Sequence, residues 1–191
     1  MSVADLKQRL SSINEFIYID GNDYLREKTS NPLIIKEVIA EAENLLKNTA
    51  GEDDKYFLYG TLGNLYRICG EPQAAINYFN DCLNYVLDSG NIKREIVTSI
   101  RLGEALKYAS RRNEALALFD QAIQKCKDKK IDTYLDFSFQ HKGKCLMELG
   151  RLDEAKEYLN KALTLREIKG DTSLIDSTKQ ALDLVRRLQT Q

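Results

Sequence analysis

Tryptophan is absent from the 191 residues, proline occurs only at Pro32 and Pro72, and His141 is the single histidine. So few prolines over this length exclude a turn-rich chain and favour long helices. With one histidine, any nucleophile–histidine arrangement would rest on that residue, and no catalytic constellation surrounds it, so no enzyme activity is expected. The four cysteines, Cys69, Cys82, Cys126 and Cys145, form no C-x-x-C pair. They are too few and wrongly spaced for a zinc site, and read as small packing residues in a reducing, cytoplasmic setting. The formal net charge of -1 argues against a nucleic-acid partner held by overall positive charge. The basic run "KCKDKK", Lys125 to Lys130, falls at a helix C-terminus, where it complements the helix dipole. No run approaches the roughly 20 apolar residues of a membrane span, and "MSVADLKQRL" has no apolar signal core. No turn concentrates the several glycines of a phosphate loop, so no cofactor or metal is expected.

What the chain has is a repeat. Gly63, Gly103 and Gly143 are spaced 40 apart, as are Ala75, Ala115 and Ala155. The same register aligns Phe79 with Phe119 and Leu159, and Cys82 with Ala122 and Ala162. The aligned lines are "LGNLYRICGEPQAAINYFNDCL", "LGEALKYASRRNEALALFDQAI" and "KGKCLMELGRLDEAKEYLNKAL". Each reads as two helices, the second with apolar residues at spacings of three and four. Pro72 sits in a first helical turn, where proline is tolerated. A glycine inside a helix costs about 1 kcal/mol relative to alanine. Its recurrence predicts a contact point where paired helices approach closely, with Phe79 or Phe119 filling the space beside it.

The pattern resembles the tetratricopeptide repeat, W-x2-L-G-x2-Y followed by A-x3-F and a late proline. The first repeat places Tyr59, Leu62, Gly63, Tyr66, Ala75 and Phe79 in those slots. The second keeps Leu102, Gly103, Ala115 and Phe119, and the third keeps Gly143 and Ala155. Ser99, Leu106, Phe139, Lys142, Leu146 and Leu159 depart from the signature, and the late proline is missing throughout. The period exceeds the usual 34 by six residues. The extra residues predict longer helices meeting at turns near Gly90, Lys130 and Gly170, similar to the repeats of kinesin light chains and polarity adaptors. The fold class expected is all-α: a right-handed superhelical solenoid of antiparallel helix pairs, about three repeats with capping helices at both ends.

Three regions follow. Residues 1–51 hold a degenerate zeroth repeat, whose second helix opens at Asn31 and Pro32 and whose partner lies within 3–29; Asp23 stands where the glycine would be. Residues 52–170 hold the three repeats. Residues 171–191 carry Leu174, Ile175, Leu182, Val185 and Leu188 at helical spacing and read as a C-terminal cap. "IDGND", Ile19 to Asp23, reads as a turn.

By the resemblance, first helices line a concave groove. The groove residues expected are Phe57, Asn64 and Arg67, then Val97, Ile100, Glu104 and Lys107, then Phe137, Gln140 and Lys144. Chaperone-binding relatives clamp a terminal carboxylate; Asn64 matches one clamp asparagine, whereas Gly60, Arg101, Phe137 and His141 fill other slots and do not match. The expected function is a non-enzymatic, cytoplasmic interaction module binding a peptide or protein segment, as a monomer or weak homo-oligomer. The alternatives are a peptide-responsive regulatory sensor and a self-associating structural subunit. A competing account of the apolar stripe is that Phe57, Val97 and Phe137 merely pack against neighbouring helices or the N-terminal segment.

Overall fold

The computed structural model describes residues 2–190. The chain runs α1 (Val3–Ser12), a hairpin of β1 (Ile17–Asp20) and β2 (Arg26–Thr29), then α2 (Pro32–Asn48), α3 (Glu52–Ile68), α4 (Pro72–Asp88), α5 (Ile92–Tyr108), α6 (Arg112–Asp128), α7 (Leu135–Glu148), α8 (Leu152–Lys169) and α9 (Thr172–Gln189). From α2 onward each helix packs against the next in an antiparallel stack. The helices α3–α4, α5–α6 and α7–α8 are the three repeats. In these, α3, α5 and α7 also touch each other in series and form one continuous face.

The turns repeat as well as the helices. Gly70, Ser110 and Gly150 take left-handed backbone angles after the first helices, and Gly90, Lys130 and Gly170 do so after the second helices. Ser110 and Lys130 hold this conformation without glycine's freedom, kept there by a bond from the following amide back across the helix end: Arg111 N to Leu106 O at 2.9 Å, and Ile131 N to Cys126 O at 2.8 Å.

The helix-interior glycines are explained by packing. A Cβ at Gly63 would lie 2.6 Å from the Phe79 ring, and one at Gly103 would lie 2.6 Å from the Phe119 ring. At Gly143 it would meet Leu159 Cγ at 2.7 Å and the Ala155 carbonyl at 3.2 Å. The side chain sixteen residues on is therefore what seats into each notch, and in the third repeat the Ala155 backbone lies beside it. Phe79, Phe119 and Leu159 are fully buried there. Cys82, Cys126 and Cys145 are buried free thiols, the last two in the same core cluster.

Helix α9 packs on α8 and contributes Ala181, Leu182, Leu184 and Val185 to the core. It is keyed by a buried cation: Arg166 on α8 bonds Asp136 on α7 at 3.0 Å, the Leu174 carbonyl at 3.1 Å and the Thr178 hydroxyl at 2.7 Å. Lys169 gives the same aspartate a second partner at 2.5 Å.

The N-terminal region departs from expectation. A helix does lie within residues 3–29, but α1 has only ten residues, and the chain then leaves helical structure for a hairpin. Asp23, the register equivalent of Gly63, falls in the hairpin connection rather than inside a helix. The turn expected over Ile19 to Asp23 is displaced, because Ile19 and Asp20 belong to β1 and the connection runs from Gly21 to Leu25; in it the Asp20 carboxylate accepts from the Asn22 amide at 2.9 Å, and Tyr24 and Leu25 both take positive φ. α1 packs Leu6 beside Ile35, Val38 and Leu58, covering the first end of the stack.

Candidate functional site

The hairpin lies across the face formed by α3, α5 and α7, near the C-terminal ends of those helices. Strand β2 is bonded to all three. Glu27 accepts from Arg67 of α3 at 2.5 Å, and its backbone amide donates to the Tyr108 hydroxyl of α5 at 2.7 Å. Arg26 donates to the Lys107 carbonyl at 3.3 Å and pairs with Glu148 of α7 at 2.5 Å. Lys144 donates to the Leu25 carbonyl at 2.8 Å. The guanidinium groups of Arg26 and Arg67 lie 5.0 and 4.8 Å from the Tyr108 ring centre. Glu148 is buried and shared by Arg26, Lys107 and Arg112, so its charge is well compensated.

This network extends inward. Lys107 Nζ is buried 3.0 Å from Glu104 Oε1, an ion pair without hydrogen-bond alignment. Glu104 Oε2 bonds His141 Nδ1 at 2.6 Å, and the imidazole stacks on Phe119. Burial pushes the Glu104 carboxyl up, but Lys107, His141 and Lys144 outweigh it and hold it well below the ordinary carboxylate range. Burial, reinforced by Lys107, pushes the Lys144 ammonium down to about 8.

Beyond the hairpin the same face remains open as a cavity of about 370 Å³. Val97, Ile100, Tyr134 and Phe137 give it apolar walls, and Asn64, Arg67, Arg101, Glu104, His141 and Glu27 supply its polar groups. The size lies within the range of small-ligand pockets, and a few polar groups in an apolar cleft fit recognition of a ligand that is itself mixed.

Of the ten groove residues expected from the sequence, Asn64, Arg67, Val97, Ile100, Glu104 and Phe137 come together around this cavity. Phe57 does not join them: it packs with the α1–α2 core, with Lys7 over its ring at 4.9 Å. For Phe57 the packing alternative holds. Lys107 and Lys144 are taken up by internal partners under the hairpin, and Gln140 is buried. Arg101, Tyr134 and His141 line the cavity although they were not among the ten. Arg101 and His141 do not match a carboxylate clamp, yet they line the same cavity as Val97, Ile100 and Phe137. The hairpin was also not foreseen; its signal was the β-branched and aromatic run "FIYID" before the turn and "REKT" after it.

Two segments, residues 58–85 and 138–168, match the family model described as tetratricopeptide repeat. The chain has the fold of a tetratricopeptide-repeat-like helical solenoid. Among solved structures, this solenoid is similar to the apo form of RapI, with a TM-score of 0.68 and 20% identity over 84% of this chain and 59% of that one. It is similar to PlcR of Bacillus thuringiensis, solved in complex with the peptide PapR7 and DNA: TM-score 0.67, 21% identity, 78% of this chain and 53% of PlcR. The nearly identical repeats of a putative kinesin light chain from Podosopora anserina superpose with a TM-score of 0.66 at 13% identity, over 98% of this chain and 88% of that one. The solenoid thus spans little more than half of RapI and PlcR. No match was found among curated proteins. Among the described residues, no helix is long and apolar enough to cross a membrane.

Proposed function

We propose that this solenoid is a non-enzymatic interaction module that holds a peptide or protein segment on the face of α3, α5 and α7. The observation that carries this is the cavity of about 370 Å³ on that face, with Val97, Ile100 and Phe137 among its apolar lining. An extended, preformed helical surface suits such binding because little of it must be ordered on association. The hairpin narrows the available groove to the portion nearer the helix starts. A cytoplasmic location, where the free thiols stay reduced, belongs to the same proposal.

A peptide-responsive sensor is the second reading, favoured by one observation: PlcR, with this fold, was solved with a peptide bound. Both readings use the same cavity. To test them, twelve-residue peptides are selected from a random displayed library on the full chain and titrated by calorimetry. Binding should be lost in Val97→Asp, which puts a charge on the apolar wall, with the far-ultraviolet circular dichroism unchanged. Selected peptides that bind Val97→Asp as tightly as the parent would move the site elsewhere.

A further inference from the structure

The charged groups around the cavity are not equivalent. Arg67 is paired with Glu27, and Glu104 is paired with His141 and Lys107. Arg101, on α5 between Ile100 and Leu102, lines the cavity and makes no ion pair or hydrogen bond with any described residue. Asn64 beside it likewise has no side-chain partner. Arg101 is nonetheless held in place. Its Nη1 sits 2.7 Å from where a Cβ of Gly60 would be, so the guanidinium rests on the bare backbone of α3. Gly60 is buried in the interior of α3, one turn before Asn64, where glycine costs about 1 kcal/mol of helix propensity. Unlike Gly63, Gly103 and Gly143, it does not receive an aromatic or leucine of the repeat; what it accommodates is the arginine.

We propose that Arg101, seated on Gly60, is the anion anchor of this cavity, and that the ligand is an extended peptide segment carrying an aspartate or glutamate side chain next to an apolar one. This rests on the cavity being the binding site. The carboxylate would pair with the Arg101 fork, with the Asn64 amide in reach as a second donor, while the apolar neighbour lies against Val97, Ile100 and Phe137. The protein supplies an internal example of the same chemistry: Glu27, an acidic side chain on an extended strand, is gripped by Arg67 on this face. The positive charge available to a ligand is thus Arg101 rather than Arg67, Lys107 and Lys144, which are already engaged. Gly60 acts as a positioning residue.

The test uses the selected library peptides on the full chain. They should carry Asp or Glu beside Leu, Ile or Phe, and amidating their C-terminus should not alter affinity. Replacing the acid by its amide, or Arg101 by Gln, should weaken binding roughly 10- to 100-fold, the range of a charge-assisted hydrogen bond. Arg101→Lys should recover part of the loss. Gly60→Ala should leave stability unchanged or raised, since the flexible guanidinium can move aside, yet still weaken binding several-fold. Peptides that need Val97 but bind Arg101→Gln at parental affinity would overturn the anchor and leave the groove intact. Peptides indifferent to Val97 and Arg101 alike would overturn both. Peptides dependent on Arg101 only through a free C-terminus would overturn the side-chain carboxylate.

Discussion

Replacing Gly103 by alanine sets two known effects against each other. Alanine in a helix interior gains about 1 kcal/mol over glycine. The new Cβ, however, would stand 2.6 Å from Phe119 Cε1 and 2.9 Å from its Cζ. Phe119 is fully buried among Ala115, Ala122 and Cys126, so its ring has no open side into which to turn. Forcing a methyl group into such a site costs about 1–3 kcal/mol. The expected balance is a loss of up to about 2 kcal/mol instead of the gain that propensity alone dictates. Urea unfolding followed by circular dichroism measures it. The decisive control is the same change in a Phe119→Val background, which lacks the ring atoms that touch the glycine. There alanine should become stabilising by about 1 kcal/mol, giving a coupling of at least about 1 kcal/mol between the two sites. If Gly103→Ala stabilises the parent by the full propensity gain, the ring does not depend on the glycine and the notch explanation is wrong.

Arg166→Met removes the partner shared by Asp136, Leu174 and Thr178; with Lys169 still near, the loss should fall at or below the about 3–5 kcal/mol of a broken buried pair, with α9 protons exchanging faster by mass spectrometry. Deleting residues 172–191 should lower the melting temperature and cause concentration-dependent association in light scattering, because it uncovers the apolar side of α8. Arg26→Ala should loosen the hairpin at a cost of about 1–3 kcal/mol, seen as faster amide exchange at Glu27, whose bond to Tyr108 depends on the hairpin staying seated. The Lys144 ammonium, lowered to about 8 in the fold from an ordinary 10.5, is penalised by folding below pH 8, and that penalty is relieved as pH rises from 8 toward 10.5. Lys144→Met should therefore be more stable than the parent at pH 7, with the difference shrinking by pH 9.5.

The repeat was legible because it is written in side-chain volume: a glycine, an alanine and a large apolar residue recurring at 40-residue intervals leave few packing solutions. The turns at Gly90, Lys130 and Gly170 followed from the same period and all three take left-handed angles. What the zeroth repeat does was not legible. α2 keeps the helical register, but its partner stops after ten residues, and the short apolar run from Phe16 to Ile19 fits strand or helix over a stretch too short to decide by period alone. The site was half legible for a related reason. Helical phase placed Val97, Ile100 and Phe137 on one face, where they line the cavity. Phase does not tell which charges are already neutralised, because Glu27, Leu25 and Arg26 reach Arg67, Lys144 and Glu148 from 40, 119 and 122 residues away. Only the assembled fold separates the engaged cations from Arg101.

The most direct measurement of the central claim is a nitrogen-15 and methyl chemical-shift titration of the full chain with a library-selected peptide. Binding in the cavity should perturb Val97 and Ile100 methyls and the Asn64 side-chain amide first, leaving the outward positions of α4, α6 and α8 unmoved. Shifts confined to those outer faces, or to α9, with Val97 and Ile100 silent at saturation, would contradict it.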